Sequence, residues 1–233
     1  LYVIRNENSF NLLLPDDLVD EFISRISRFI LRAKVTISEN QAVAVIGVIG
    51  KISTEVNPTQ SDDLNEKILK INSTQGLILW PSESLALFWR KVTKIYSSSE
   101  YERWKLENIR NGIVDVGEAT KEQFLPQMIN LEKREGVSFS KGCYPGQEIV
   151  ARTKYLGSVK RKLCSFKSSK LIAQGTTIVN ANGVVCGMVC QTASNIHQID
   201  SLEGLAVIHI DNINGEKLTT SDSIRIDAVT PLF

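Results

Sequence analysis

The sequence predicts an α+β domain followed by a small β-barrel, and three observations predict it. In roughly the first two thirds of the 233 residues, strand-like runs alternate with helix-like runs, but without the regularity of a parallel βαβ series. From about Tyr155 onward the pattern changes to short strands separated by turn residues. Between two of those strands stands Asn182-Gly183, a hairpin signal of the two-residue type I′ kind. These observations divide the chain into an α+β part with its connector, 1–154, and a barrel, 155–233.

Taken in order, residues 1–4 and 10–14 read as two strands around the polar turn 6–9. Pro15, Asp16 and Asp17 then open a helix: proline suits a first turn, and the carboxylates favour its positive end. Leu18, Phe22, Ile26, Phe29 and Ile30 follow at helical spacing and make one apolar face. Residues 35–37 and 42–49 are the next strands. Residues 57–61, polar and carrying Pro58, read as a loop, and 63–71 as a short helix that Asp62 and Asp63 cap. Residues 76–80 form a strand ended by Pro81, and Ser82 caps a helix carrying Leu85, Phe88, Trp89, Val92 and Ile95. After a surface break at 97–100, residues 101–109 are helical. The stretch 111–140 is irregular, with one helix near 127–134. Barrel strands are expected at 162–166, 176–180, 183–191, 204–210 and 223–229.

Composition excludes several function classes. Twenty-seven Lys and Arg against 26 Asp and Glu leave a net charge of +1, which gives no whole-molecule reason for a stable nucleic-acid complex. The longest apolar run, 42–49, is strand length and far short of the ~20 residues that span a bilayer, so no membrane partner is expected. The chain opens on Leu1 in a strand-like run, which predicts a further N-terminal part. Four cysteines without a Cys-x-x-Cys pair, in a chain too large to need disulfide staples, point to a reducing, cytoplasmic compartment. Cys186 and Cys190 would share a strand face about 13 Å apart, too far to chelate one metal. No protein metal site is therefore expected. Cys164, Cys186 and Cys190 suit the role of small buried side chains. His197 and His209 are the only histidines, and His209 in an apolar run reads as a core or edge residue.

The segment Lys141-Gly-Cys-Tyr-Pro-Gly-Gln-Glu148 concentrates the chemistry. Gly142, Pro145 and Gly146 force a tight, irregular backbone. That backbone presents an amine, the Cys143 thiol, the Tyr144 phenol, the Gln147 amide and the Glu148 carboxylate together. Arg152 lies one turn beyond Glu148 if the chain becomes helical there. Lys141, two residues from Cys143, is placed to favour the thiolate. On residue type alone, a reactive Cys143 and an inert buried one are equally supported, because free cysteine is among the most buried residues.

Lys-Gly-Cys-Tyr-x-Gly-Gln-Glu followed by Val150, Ala151 and Arg152 resembles the signature of the YgfZ family, relatives of the glycine cleavage aminomethyltransferase (T-protein). Residues 29–37, the run from Trp104 to Ile113, Phe124-Leu-Pro-Gln127 and Gly136-Val-Ser-Phe139 are similar to the family's flanking segments. The resemblance implies an aminomethyltransferase-like, folate-binding domain with an additional N-terminal stretch, then a C-terminal β-barrel. It implies tetrahydrofolate as ligand and support of the assembly or repair of iron–sulfur enzymes, including one that thiolates tRNA. It implies that Lys141 and Cys143 are needed for activity and that Trp104 contacts folate by stacking on the pterin. Tyr144, like Trp104 and Arg110, is expected to bind the folate, and the remaining motif residues, Gly142, Gly146, Gln147, Glu148 and Arg152, position the loop or its ligand.

One position departs from the glycine cleavage enzymes. They carry a glutamate two residues before the glycine matching Gly112, and it receives the pterin's N–H donors. Here that position is Arg110, a donor-only side chain that meets either a folate carboxylate or a protein acid. This moves the expectation from aminomethyl transfer, which stays as the alternative, to a folate-binding maintenance protein. The basic run Lys154, Lys160, Arg161 and Lys162 reads as a solvated strand edge. No glycine-rich phosphate loop is present, so no nucleotide site is expected.

Overall fold

The computed structural model describes residues 1–51, 67–157, 159–194, 202–213 and 217–232. They gather into two compact units, Leu1–Glu100 and Tyr101–Phe233. The predicted loop 57–61, Asp62, Asp63 and His197 lie outside the described residues.

The first unit opens with a hairpin, β1 (Tyr2–Arg5) and β2 (Phe10–Leu13), whose turn closes through Asn6 N–H donating to the Ser9 carbonyl at 2.9 Å. Asp16–Leu18 form a 3-10 turn that leads into α1 (Val19–Ser27). No side-chain cap bond forms at either start, so Asp16 and Asp17 act by charge in the first turn and not as caps. The helix ends before Phe29, which is exposed. A three-stranded antiparallel sheet follows, in the order β3 (Val43–Ile49), β5 (Gln75–Pro81), β4 (Lys67–Lys70). One face packs against α2 (Leu85–Val92): Val48, Ile78, Phe88 and Val92 are buried, and Trp80 stacks on Phe88 with ring centroids 3.9 Å apart.

Three expectations fail in this unit. Residues 35–37 form no strand; Val35 is exposed and no described strand pairs with it, and β-propensity without a ladder fixes nothing. Residues 67–70, expected in a helix, are β4, because Ile68 and Leu69 pair across to Ile78 and Leu77 of the buried central strand. Ser82 does not cap α2. Its hydroxyl donates to the Gln41 carbonyl, and Ser84, at the cap position, accepts from the Trp80 indole at 3.0 Å.

The second unit is built on a closed antiparallel barrel. The strands are β6 (Arg161–Ser168), β7 (Thr177–Val179), β8 (Val185–Ser194), β9 (Leu202–His209), β10 (Leu218–Thr220) and β11 (Arg225–Pro231), in the order β10-β11-β6-β9-β8-β7 with β7 closing onto β10. β10 falls in none of the stretches expected to be strands. Closure makes β6 an interior strand, so Arg161 and Lys162 do not guard an edge. The barrel interior holds Cys164, Phe166, Ile178, Cys186, Val189, Ala206, Ile208, Leu218 and Ile226. A second core lies on the outside, where α3 (Tyr101–Arg110) sets Leu106 and Ile109 against Leu163, Cys190, Ala193, Leu205 and Val207.

The hairpin at Asn182-Gly183 forms, but not as type I′. That turn needs positive φ at both central residues, and Gly183 has it (φ +74°) while Asn182 does not. Instead Gly183 N–H donates to the Asn180 carbonyl, and the Asn180 side chain accepts from the N–H groups of Asn182 and Val184. The expectation that Cys186 and Cys190 share a face also fails. The β7–β8 register skips Cys186 and the β8–β9 register skips Cys190, so each thiol is the extra residue of a β-bulge. Cys186 points into the barrel and Cys190 into the outer core.

Between α3 and the barrel runs the connector. The helix expected near 127–134 is only a 3-10 turn, Pro126–Ile129, ended by Asn130 in the left-handed region (φ +56°). Asn130 donates from its side chain to the Leu232 carbonyl. The connector finishes in α4 (Gln147–Tyr155). Among the described residues, no helix is long and apolar enough to cross a membrane.

Candidate functional site

The four cysteines divide sharply. Cys164, Cys186 and Cys190 are buried, as expected, and Cys143 is exposed. Burial pushes the Cys164 thiol up to about 11, with Lys162 opposing, and pushes Cys190 up as well. Burial thus holds the Cys164 and Cys190 sulfurs as neutral thiols. Among the described residues, no group of three or more His, Cys, Asp or Glu is arranged to hold a metal.

The loop that carries Cys143 is organised from within. Gly146 takes φ +85° and starts α4, so Gln147 turns back: Tyr144 N–H donates to Gln147 Oε1 at 3.2 Å, and Gln147 N–H donates to the Tyr144 carbonyl at 3.2 Å. The two bonds close the turn around Pro145. Lys141 Nζ lies 4.4 Å from the centroid of the Tyr144 ring, a cation–π contact. The structure thus brings Lys141, Tyr144 and Gln147 together and leaves Cys143 facing solvent between them. A Cβ added at Gly142 or Gly146 would meet nothing within 4 Å, so space does not require either glycine; the left-handed backbone requires Gly146.

α4 behaves as anticipated. Arg152 donates to Glu148 at 2.8 Å, an exposed pair one turn apart. Gln127, from the 3-10 turn, donates to the Val150 carbonyl at 2.7 Å and ties that turn to the helix. Lys154 pairs with Glu132 and lies over the Phe139 ring, which itself meets Tyr155 edge-on. The basic run 154–162 is therefore partly neutralised.

On α3, Trp104 is half-buried. Of the two partners expected for Arg110, the structure supplies the protein acid. Arg110 grips Glu203 of β9 through Nε (3.1 Å) and a terminal nitrogen (2.6 Å), with Glu107 at 3.7 Å. The Glu203 bond holds the guanidinium firmly protonated.

One polar centre in this unit carries no sequence motif. Asp115, just after α3, accepts from the Asn108 amide at 2.9 Å. Its N–H donates to the Gln191 side chain at 2.7 Å, and its carbonyl accepts from Gln174 at 2.7 Å. Gln191 also donates to the Ile113 carbonyl at 3.0 Å. Desolvation raises the Asp115 pKa, and the Asn108 bond only partly offsets it. The phenol of Tyr101 is pushed up by partial burial and by the carboxylates of Asp115 and Glu102. The signal that could have found it is the amphipathic helix itself: a buried Asn108 on α3 needs a partner.

No family model matches the chain. Curated relatives do. A tRNA-modifying protein YgfZ from Colwellia psychrerythraea is 32% identical over 178 residues, covering 70% of this chain and 54% of that protein. The protein of the same name from Vibrio atlanticus is 28% identical, with 76% and 56% covered, and the one from Pectobacterium carotovorum is 28% identical, with 70% and 53% covered. The chain belongs to the YgfZ family. It spans about half the length of the family members it matches. The exposed Cys143 and the self-tied loop around it are thus features of a YgfZ-family chain, and so is an arginine at 110 locked to the barrel.

Proposed function

We propose that this protein binds tetrahydrofolate beside Trp104 and uses the 141–148 loop, with Cys143 as its reactive thiol, to support iron–sulfur enzymes, including those that modify tRNA. The observation that carries the reading is the contrast among the thiols: three are sealed in cores, and the fourth stands exposed on a hydrogen-bonded loop beside a lysine. The names of the relatives support the tRNA connection. Because Lys154 and Arg152 are already paired, the effect on tRNA runs through a client enzyme, such as a tRNA-thiolating one, in the cytoplasm.

The residues present suit a folate. A half-buried indole offers a flat face for stacking a pterin. Tyr144 and the motif residues around it belong to the same compact unit as Trp104. Arg110 engages Glu203, so a folate carboxylate must displace that acid to reach it, and a donor-only side chain there argues against aminomethyl transfer. Titration with tetrahydrofolate, followed by intrinsic fluorescence, tests the ligand. Saturable binding that Trp104→Ala abolishes is expected; equal binding by the variant removes the assignment. In a deletion strain, Cys143→Ser should fail to restore iron–sulfur enzyme activity, and full rescue would end the thiol's role.

A further inference from the structure

The sequence holds three Asn-Gly pairs, Asn111-Gly112, Asn182-Gly183 and Asn214-Gly215. The third lies outside the described residues, and the other two stand in opposite surroundings. Asparagine before glycine is chemically labile, because no side chain on the second residue shields its backbone nitrogen from the first residue's amide carbon. In a folded chain the rate is set by whether that carbon can swing onto that nitrogen.

At 111–112 the fold opposes the swing. The Asn111 side-chain amine donates to the Glu107 carbonyl at 2.9 Å, and its main-chain carbonyl accepts from Arg134. Gly112 is buried and donates its N–H to the Ile109 carbonyl at 2.9 Å. At 182–183 the surroundings are open. Residues 181–185 are exposed, and a Cβ added at Gly183 would meet nothing within 4 Å. The turn is built by Asn180, which takes the main-chain N–H groups of Asn182, Gly183 and Val184. The Asn182 side chain has no part in it and makes no hydrogen bond among the described residues. The exposed bond from Gly183 to the Asn180 carbonyl (2.9 Å) is the one contact the reaction must open, and water replaces it at little net cost.

We propose that Asn182 is a self-modification site, deamidated through its own backbone neighbour. The Gly183 nitrogen gives up its proton and bonds to Asn182 Cγ. The Cγ–Nδ2 bond breaks, and the amide nitrogen leaves with that proton as ammonia. Water then opens the resulting succinimide at either carbonyl, leaving aspartate or isoaspartate. Both products place a new carboxylate on the turn, and isoaspartate also adds one carbon to the main chain. β7, the three-residue strand through which the barrel closes onto β10, runs into this turn. The change therefore falls beside the seam of the closed sheet.

The test ages the full chain in mildly alkaline buffer, folded and in urea, then digests it at acidic pH for mass-spectrometric mapping. Enzymatic carboxyl methylation reads isoaspartate independently. In the folded chain the mass gain of –NH2 replaced by –OH should build up at Asn182 at least about 100-fold faster than at Asn111, where reaction waits on local opening. In urea the two rates should converge. Asn182→Gln, one carbon too long to close the five-membered ring, should remove the signal from its peptide and leave the melting temperature unchanged, since the turn does not use that side chain. Asn182 that stays intact in the folded chain overturns the proposal, whether or not it reacts in urea. Equal folded rates at Asn182 and Asn111 overturn it too, because the fold would then have no say in which pair reacts.

Discussion

The barrel and the 141–146 loop use the same residue types to opposite ends. In the barrel, cysteine is a space filler and glycine a necessity of contact: a Cβ at Gly204 would strike the buried Phe166 ring, and one at Gly187 would come within 2.7 Å of the Val207 carbonyl. In the loop, cysteine is the exposed group, and the glycines face open space. Residue identity therefore says little about role until the surroundings are known, and the comparison can be tested from both sides.

The largest difference should appear in thiol chemistry. Under native conditions Cys143 should be alkylated roughly a thousand times faster than the other three, which react only through opening of the barrel. Mass-spectrometric mapping after brief iodoacetamide treatment checks this; early label on Cys164, Cys186 or Cys190 would break the contrast. Next comes packing. Gly204→Ala should cost about 3 kcal/mol, because the Phe166 ring has nowhere to move in a closed barrel. Gly142→Ala should leave denaturant midpoints unchanged. Smaller is the backbone effect at Gly146: alanine at φ +85° should cost about 1–2 kcal/mol although nothing clashes.

The smallest is a pH effect. The folded-state pKa of Asp115 stands above its ordinary value of 3.8, so the native state keeps a proton that the unfolded chain releases. The stability this contributes is complete below about pH 3.8 and is lost as pH rises through the folded value. Asp115→Asn removes that loss. Its melting temperature relative to the parent should therefore climb between pH 3.5 and 6, and a flat difference would contradict the desolvated carboxylate.

Much of this was legible in the residues. Four of the six barrel strands are long enough to show their own period, and the three-residue β7 is located by the Asn182-Gly183 turn signal that follows it. β10 is equally short and falls in none of the expected stretches. β4 was misread because Lys67–Lys70 is specified by the strand it pairs with, and local pattern cannot see that partner. In the site, the motif and the i, i+4 pair of Glu148 and Arg152 were readable from spacing. The grip of Arg110 on Glu203 joins residues 93 positions apart, and the Asp115–Gln191 clasp 76 apart, distances at which only the closed barrel decides who meets.

The two bulges in β8 have an arithmetic consequence. Each inserts one residue, and two insertions restore the original phase of a two-residue period. Val185 at one end and Ala193 at the other keep the sides that a straight count assigns, and only residues 187–190 are inverted between them. Removing Cys186 and Cys190 together would then leave an uninterrupted eight-residue strand with every surviving side chain on its present side. By this count the two thiols are spacers in a self-cancelling frame shift.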